Sequence, residues 1–343
     1  MPDVRFRDFH LPLPRGLTPN AMVSDFGDPE QEIDACNNSA ALFDFSFILR
    51  MFVCGPDANQ AVSAFCGRDF SDLREGAIRY ALHADADGYL LSDLTVWRIG
   101  SQEFEVMSGR TADFVDLSNS IASLNAGVID LSGDTAIFAV QGPGSDKALI
   151  GMGCHTGIEN ISYFNFHDIF LLEQTCRIGR LGFTGLPGLE ILCPRKSASS
   201  LWQSLSANIK PAGMIAADRI RLKAGLALFT QEFMPKVTAA DAGLSRFRPD
   251  GDTAGDLMAA RACRVSFSAE VMGSIESVCW SGTQTFPPDP GTLAVTSAMT
   301  IMGGKSVLGM GYLAANDYRP EYIEPTGALN KIVIIRRFGN DIN

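Results

Sequence analysis

The chain has 343 residues, 46% hydrophobic and 20% charged, with 28 Lys and Arg against 39 Asp and Glu and a formal net charge of −11. That length can bury two or three cores, and that balance is ordinary for a globular protein. It argues against a general nucleic-acid binder, which needs a basic footprint. No apolar run reaches membrane-spanning length, and the N-terminus lacks the apolar segment of a signal peptide, so the cytoplasm is the expected location and no membrane partner is expected.

In chain order, residues 1–30 read as an extended arm or loops. Residues 30–42 read as a short helix running into a strand, and Leu42 to Cys54 is apolar and β-prone up to the Gly55-Pro56-Asp57 break. Asp57 to Phe65 places Ala58, Ala61, Val62 and Phe65 on one helical stripe. Ala77–His83, Tyr89–Ile99 and Glu103–Met107 read as an antiparallel meander, with Asp85 and Gly88 supplying a turn. Phe114, Leu117, Ile121 and Leu124 give Thr111 to Asn125 a helical spacing. Strands are expected at Val128–Leu131, Thr135–Val140, Ile161–Phe166, His167–Gln174 and Cys176–Leu181, with a helix opening after Pro143. A Gly-rich loop, Gly182 to Gly188, leads into a strand carrying Glu190. Helices follow at Ser197–Ile209 and Ala216–Gly225; residues 230–262 read as a linker, and the rest as a small all-β domain.

Two carboxylates interrupt apolar strands. Asp93 shares a strand face with Tyr89, Leu91, Thr95 and Trp97, and Glu190 lies among Leu189, Ile191 and Leu192. A solvated strand face explains Asp93 as simply as a ligand site does. No G-x-G-x-x-G after a strand, P-loop or G-x-S-x-G is present. The eight cysteines show no C-x-x-C spacing and read as small buried thiols, and the four histidines are scattered, so no metal is expected.

Four stretches in order carry a resemblance: Ala41-Leu-Phe-Asp-Phe-Ser46 with Val53-Cys-Gly-Pro-Asp-Ala58; Gly88-Tyr-Leu-Leu-Ser-Asp-Leu-Thr-Val96; Ala139-Val-Gln-Gly-Pro143; and Gly182-Phe-Thr-Gly-Leu-Pro-Gly-Leu-Glu-Ile191. Arg221 to Phe229 extends it. Together they resemble the T-protein (aminomethyltransferase) of the glycine cleavage system and its tetrahydrofolate-dependent demethylase relatives. The resemblance implies an α+β, three-domain aminomethyltransferase-like fold with mostly antiparallel sheets and a small all-β C-terminal domain. The division it implies is a folate-binding α+β domain over 1–50 plus 128–250, an inserted antiparallel α+β domain over 51–127, and a barrel-like domain over 260–343.

It also implies tetrahydrofolate as cofactor. By position, Asp93 matches the acidic residue near the reacting end of the folate, and Glu190 matches the carboxylate gripping the pterin. Tyr80, Phe183, Arg219 and Arg221 are the further cofactor-binding candidates. A carboxylate suits the pterin, which shows two N–H donors side by side.

Leu186 stands where the family pattern has an acid, and Ser92 replaces the first of two adjacent acids, so the folate site resembles that of the dimethylglycine and sarcosine dehydrogenase domains. The expected function is one-carbon transfer, of a methyl or methylene unit, from a small N-, O- or S-linked donor. The alternatives are the cleavage-system reaction itself, with a lipoyl carrier protein as partner, and a non-catalytic folate-binding role in iron–sulfur cluster assembly, echoed only by Gln231-Glu232.

Overall fold

The computed structural model describes residues 23–153, 157–248, 260–273, 279, 285–301 and 304–338. Most of the expected N-terminal arm, with His10, together with Cys154, His155 and the Asp250–Gly255 stretch, lies outside those residues.

Helix α1 (Pro29–Asn38) starts where Asp28 accepts hydrogen bonds from the Glu30 and Gln31 amides, an N-cap with proline in the first turn. Strands β1 (Ala41–Asp44) and β2 (Leu49–Cys54) follow, then α2 (Ala58–Cys66). The meander expected from alternation is present as β3 (Ile78–Ala84), β4 (Leu90–Gly100) and β5 (Glu103–Ser108). Its first turn works as the residue types require. The Asp85 carboxylate accepts from the Asp87 and Tyr89 amides, and Gly88 supplies a φ of 84° that other residues resist. Helix α3 (Asp113–Ser120) is shorter than its apolar spacing suggests, ending in turns, with Leu117 and Ile121 buried.

Strands β6 (Gly127–Asp130) and β7 (Thr135–Gln141) lead to α4 (Ser145–Gly151). The next segment corrects the sequence reading. Ile161–Phe166 is not a strand, whereas the strands expected at His167–Gln174 and Cys176–Leu181 are present as β8 (Phe166–Leu171) and β9 (Gln174–Gly179). They are joined by the two-residue turn Leu172-Glu173, with φ of 46° and 67°. Such turns favour Asn and Gly, so nothing in these residue types marks this one. Then come β10 (Gly188–Pro194), α5 (Ala198–Ser206), β11 (Lys210–Pro211), α6 (Met214–Ala224) and α7 (Phe229–Glu232). The C-terminal strands are β12 (Ala262–Val271), β13 (Ala294–Ile301), β14 (Ser306–Ala314) and β15 (Leu329–Arg337).

Among the described residues, three sheets result. Their orders are β11-β1-β7-β10-β9-β8, β3-β4-β5-β2-β6 and β13-β14-β12-β15. Apart from a short β1–β11 parallel pair, the described registers are antiparallel. The C-terminal sheet is all-β, as expected. The described residues form two compact units, one holding those within 23–62, 70–79 and 95–224, the other those within 63–69, 80–94 and 225–338.

In the first unit the six-stranded sheet buries both faces. Leu42, Phe138, Val140, Leu189 and Ile191 pack with Trp202 on one side. Ala41, Phe43, Ile137, Ala139 and Leu192 pack with Trp97 and Ala216, Ala217 and Ile220 of α6 on the other. In the second unit, Phe233, Val237, Ala239, Ala242 and Leu244 pack with Leu82, Leu90 and Tyr312. Residues 229–248 are therefore core, not linker. Their small and polar residues masked this, because the packing is made by irregular backbone without a period to read. No helix among the described residues is long and apolar enough to cross a membrane.

Candidate functional site

Glu190 is built into the six-stranded sheet of the first unit. It lies on β10 directly opposite Ala139 of β7 and Gly179 of β9. Cross-strand partners share a face, so the Glu190 carboxyl projects onto the face made by Phe43, Ile137, Ala139 and Leu192. Its lateral neighbours are the two smallest side chains available. The Trp97 ring lies against Gly179 so closely that any Cβ there would overlap it. Phe183 and Leu186, both half-buried, pack on this same apolar cluster. Burial raises the Glu190 carboxyl from its ordinary value of 4.5 to about 7.

The loop that delivers Phe183 and Leu186 is wound around Gln141. The Thr184 hydroxyl donates to Gln141 Oε1 at 2.8 Å, and Gln141 Nε2 donates to the Leu181 carbonyl at 3.3 Å. Gln141 was legible only as part of a motif, without a role; the signal was a polar residue ending the otherwise apolar run Ala136–Val140.

Helix α6 carries both candidate arginines and packs its Ala216, Ala217 and Ile220 on the same core as Glu190. Arg219 is partly exposed and pairs with Glu30 of α1. Arg221 is fully buried, with Nε donating to Asp218 Oδ1 at 2.7 Å. The start of α6 is held from a distance: the buried Glu32 carboxylate accepts from Gly213 N at 2.9 Å and from Phe26 N at 2.5 Å.

The second unit contains Asp93 and Tyr80. On β4, Leu90, Ser92 and Leu94 are buried, while Leu91 and Asp93 are half-buried. Asp93 is not simply solvated. Tyr80 Oη donates to its Oδ2 at 3.3 Å. The Tyr80 ring meets Phe247 edge-on at 4.8 Å between centroids, a contact that the sequence reading missed because Phe247 falls in the irregular segment. Burial pushes the Tyr80 hydroxyl well above its ordinary 10, with Asp93 adding to the effect, so the group stays protonated and serves as a donor. The buried Arg264, whose guanidinium stacks on Phe338 at 3.8 Å, opposes that shift. His83 stacks on Phe65 at 4.0 Å between ring centroids.

The Gln231-Glu232 echo has a packing explanation. Glu232 is buried on α7 and accepts from Thr296 Oγ1 at 2.9 Å, from Ser297 Oγ and from Leu228 N at 2.7 Å. This carboxylate fastens α7 to β13.

The first unit offers an acceptor carboxylate on an apolar face, and the second unit holds a carboxylate that receives a tyrosine hydroxyl. Known proteins share the frame. The family model described as the GCVT N-terminal domain matches residues 19–248, more than half of the chain. The aminomethyltransferase of Saccharopolyspora erythraea is 29% identical over 223 residues, covering 63% of this chain and 60% of that protein. The aminomethyltransferase of Streptomyces coelicolor is 30% identical over 241 residues, covering 67% and 64%. The chain thus spans about three-fifths of the length of these curated relatives. The solved glycine cleavage system aminomethyltransferase T from Bartonella henselae shares the fold, with a TM-score of 0.73 at 24% identity over 87% of this chain and 85% of that one.

Proposed function

The chain belongs to the GCVT N-terminal domain family, and from that premise we propose that it is a tetrahydrofolate-dependent one-carbon transferase, moving a methyl or methylene unit from a small N-, O- or S-linked donor. The observation that carries this reading is Glu190, a lone carboxylate on an apolar sheet face, flanked by Ala139 and Gly179. Two oxygens there fit the adjacent ring N–H and exocyclic amino group of a reduced pterin, and the apolar face with Phe183 fits its flat ring. Tetrahydrofolate supplies the nucleophilic nitrogen that receives the one-carbon unit.

The roles of the chain's own groups follow from their surroundings. Glu190 binds as the carboxylate, accepting two donors, so binding draws its proton off. Asp93 holds negative charge where positive charge develops on the reacting nitrogen, and takes up the proton released there. Tyr80 donates its O–H to Asp93 and keeps that carboxylate aimed. Arg219, partly exposed, serves the anionic part of the folate, exchanging Glu30 for it; Arg221, buried on Asp218, holds the helix. The donor is a methylated amine, sulfonium or aryl ether, or an aminomethyl group on a lipoyl carrier protein.

Calorimetric titration with tetrahydrofolate tests the reading. Wild type binds and Glu190→Gln binds far more weakly; a wild type that takes up no heat at millimolar folate refutes it. Assaying folate-dependent demethylation across those donor classes then identifies the donor.

A further inference from the structure

Two of the motifs legible in the sequence, Ala139–Pro143 and Gly182–Ile191, are a single interlocked object in the structure. Gln141 ends β7 and is fully buried. It pairs across the sheet with Gly188, so both ends of the Gly182–Gly188 loop meet the same amide. A Cβ at Gly182 would overlap Gln141 Oε1, and a Cβ at Gly188 would overlap its Nε2. The glycines there are therefore explained by the glutamine they enclose. Inside the loop, Thr184 is buried and donates to Gln141 Oε1 at 2.8 Å. The same hydroxyl oxygen accepts the Leu186 amide at 3.3 Å. Next door, Gly142 N donates to the Pro187 carbonyl at 2.7 Å.

We infer that Gln141 is a positioning residue: through Thr184 and the Leu181 carbonyl it fixes the loop that carries Phe183 and Leu186 onto the Glu190 face. The chain here is irregular backbone, which has no ladder of its own to hold it. A short loop keeps one conformation only if its polar groups are answered from inside. Gln141 answers two of them from one side chain. Its amide both donates and accepts, which neither a carboxylate nor a methionine of the same length can do. The inference rests on the folate reading for what the loop serves, and on geometry alone for how the loop is held.

The test uses Gln141→Met, Thr184→Val and Thr184→Ser in the full chain, read by amide hydrogen exchange and by tetrahydrofolate titration. In the first two variants the Leu186 and Gly142 amides exchange at least about tenfold faster, while Ile191 in β10 stays within about twofold. Their folate Kd rises by about fivefold or more, the scale of one lost hydrogen bond. Thr184→Ser retains the hydroxyl and restores both readouts. Unchanged exchange at Leu186 and Gly142 overturns the inference. So does faster exchange with folate Kd within about twofold of wild type. Should wild type bind no folate, the functional reading fails, and the exchange data alone decide whether Gln141 holds the loop. If Gln141→Met does not fold, the two Thr184 variants carry the same comparison.

Discussion

Glu190 and Asp93 are both carboxylates on strands, but their surroundings make them different reagents. Glu190 has small apolar neighbours, and burial alone lifts its carboxyl to about 7. It is a group waiting for donors. Asp93, half-buried on β4 as Glu190 is on β10, already receives the Tyr80 hydroxyl. Its ring neighbour is braced by Phe247, and a buried arginine acts on the same tyrosine. The lesson is that isolation suits a carboxylate for binding, because the ligand's N–H groups complete it. A built-in donor suits a carboxylate for a reaction, because its direction must be set before substrate arrives.

The largest expected effect breaks the comparison on the side of Asp93. Asp93→Asn lowers single-turnover transfer by about 10³-fold, within the range for a lost acid–base group, while folate Kd changes by less than about threefold. Equal losses in binding and turnover would erase the distinction between the two carboxylates. Glu190→Gln does the reverse, weakening folate by about 100-fold through two lost charge-assisted hydrogen bonds.

That second substitution also has a stability sign. A carboxyl whose folded pKa is raised loses its proton first in the unfolded chain, so wild-type stability falls as pH rises from 4.5 towards 7. Glu190→Gln removes the loss. The variant is therefore more stable than wild type at pH 8, by at most about 3 kcal/mol, and the gap closes below pH 4.5. Denaturant melts at the two pH values measure it. The same ionisation governs binding: wild-type folate affinity falls about tenfold per unit below pH 7, and this slope is absent in Glu190→Gln.

Smaller effects sharpen the picture. Tyr80→Phe costs about 5- to 10-fold in turnover, the worth of one hydrogen bond, with the ring packing retained. At the low end, Arg219→Ala removes a partly exposed ion pair and costs less than about 1 kcal/mol of stability. Arg221→Ala, by contrast, is expected to destabilise by about 3 kcal/mol, because it strips a buried site of its guanidinium. Urea melts of the two variants separate a partly exposed, ion-paired arginine from a buried one.

Much of the frame could be read directly. Alternation placed β3, β4 and β5, turn residues placed Asp85 and Gly88, and the ordered motifs singled out both carboxylates. Tyr80 was found because it lies on the neighbouring strand. Phe247 was not, since it lies in a segment with no period, and the Leu172-Glu173 turn was not, since its residues rarely adopt positive φ. Gln141 was visible as a letter in a motif but had no stated work.

What the sequence determined by itself was the kind of fold and the residue types that interrupt it, because periodicity and turn chemistry are local properties of the chain. What only the tertiary structure decided was what surrounds each interruption. Glu190 stands at about 7 because Ala139 and Gly179 arrive from other strands with no charge to offer. Arg219 and Arg221 are two residues apart, yet one meets Glu30 and the other turns into the core. Burial and partnership depend on chain segments distant in sequence, and those set the chemistry of a side chain whose identity alone leaves it open.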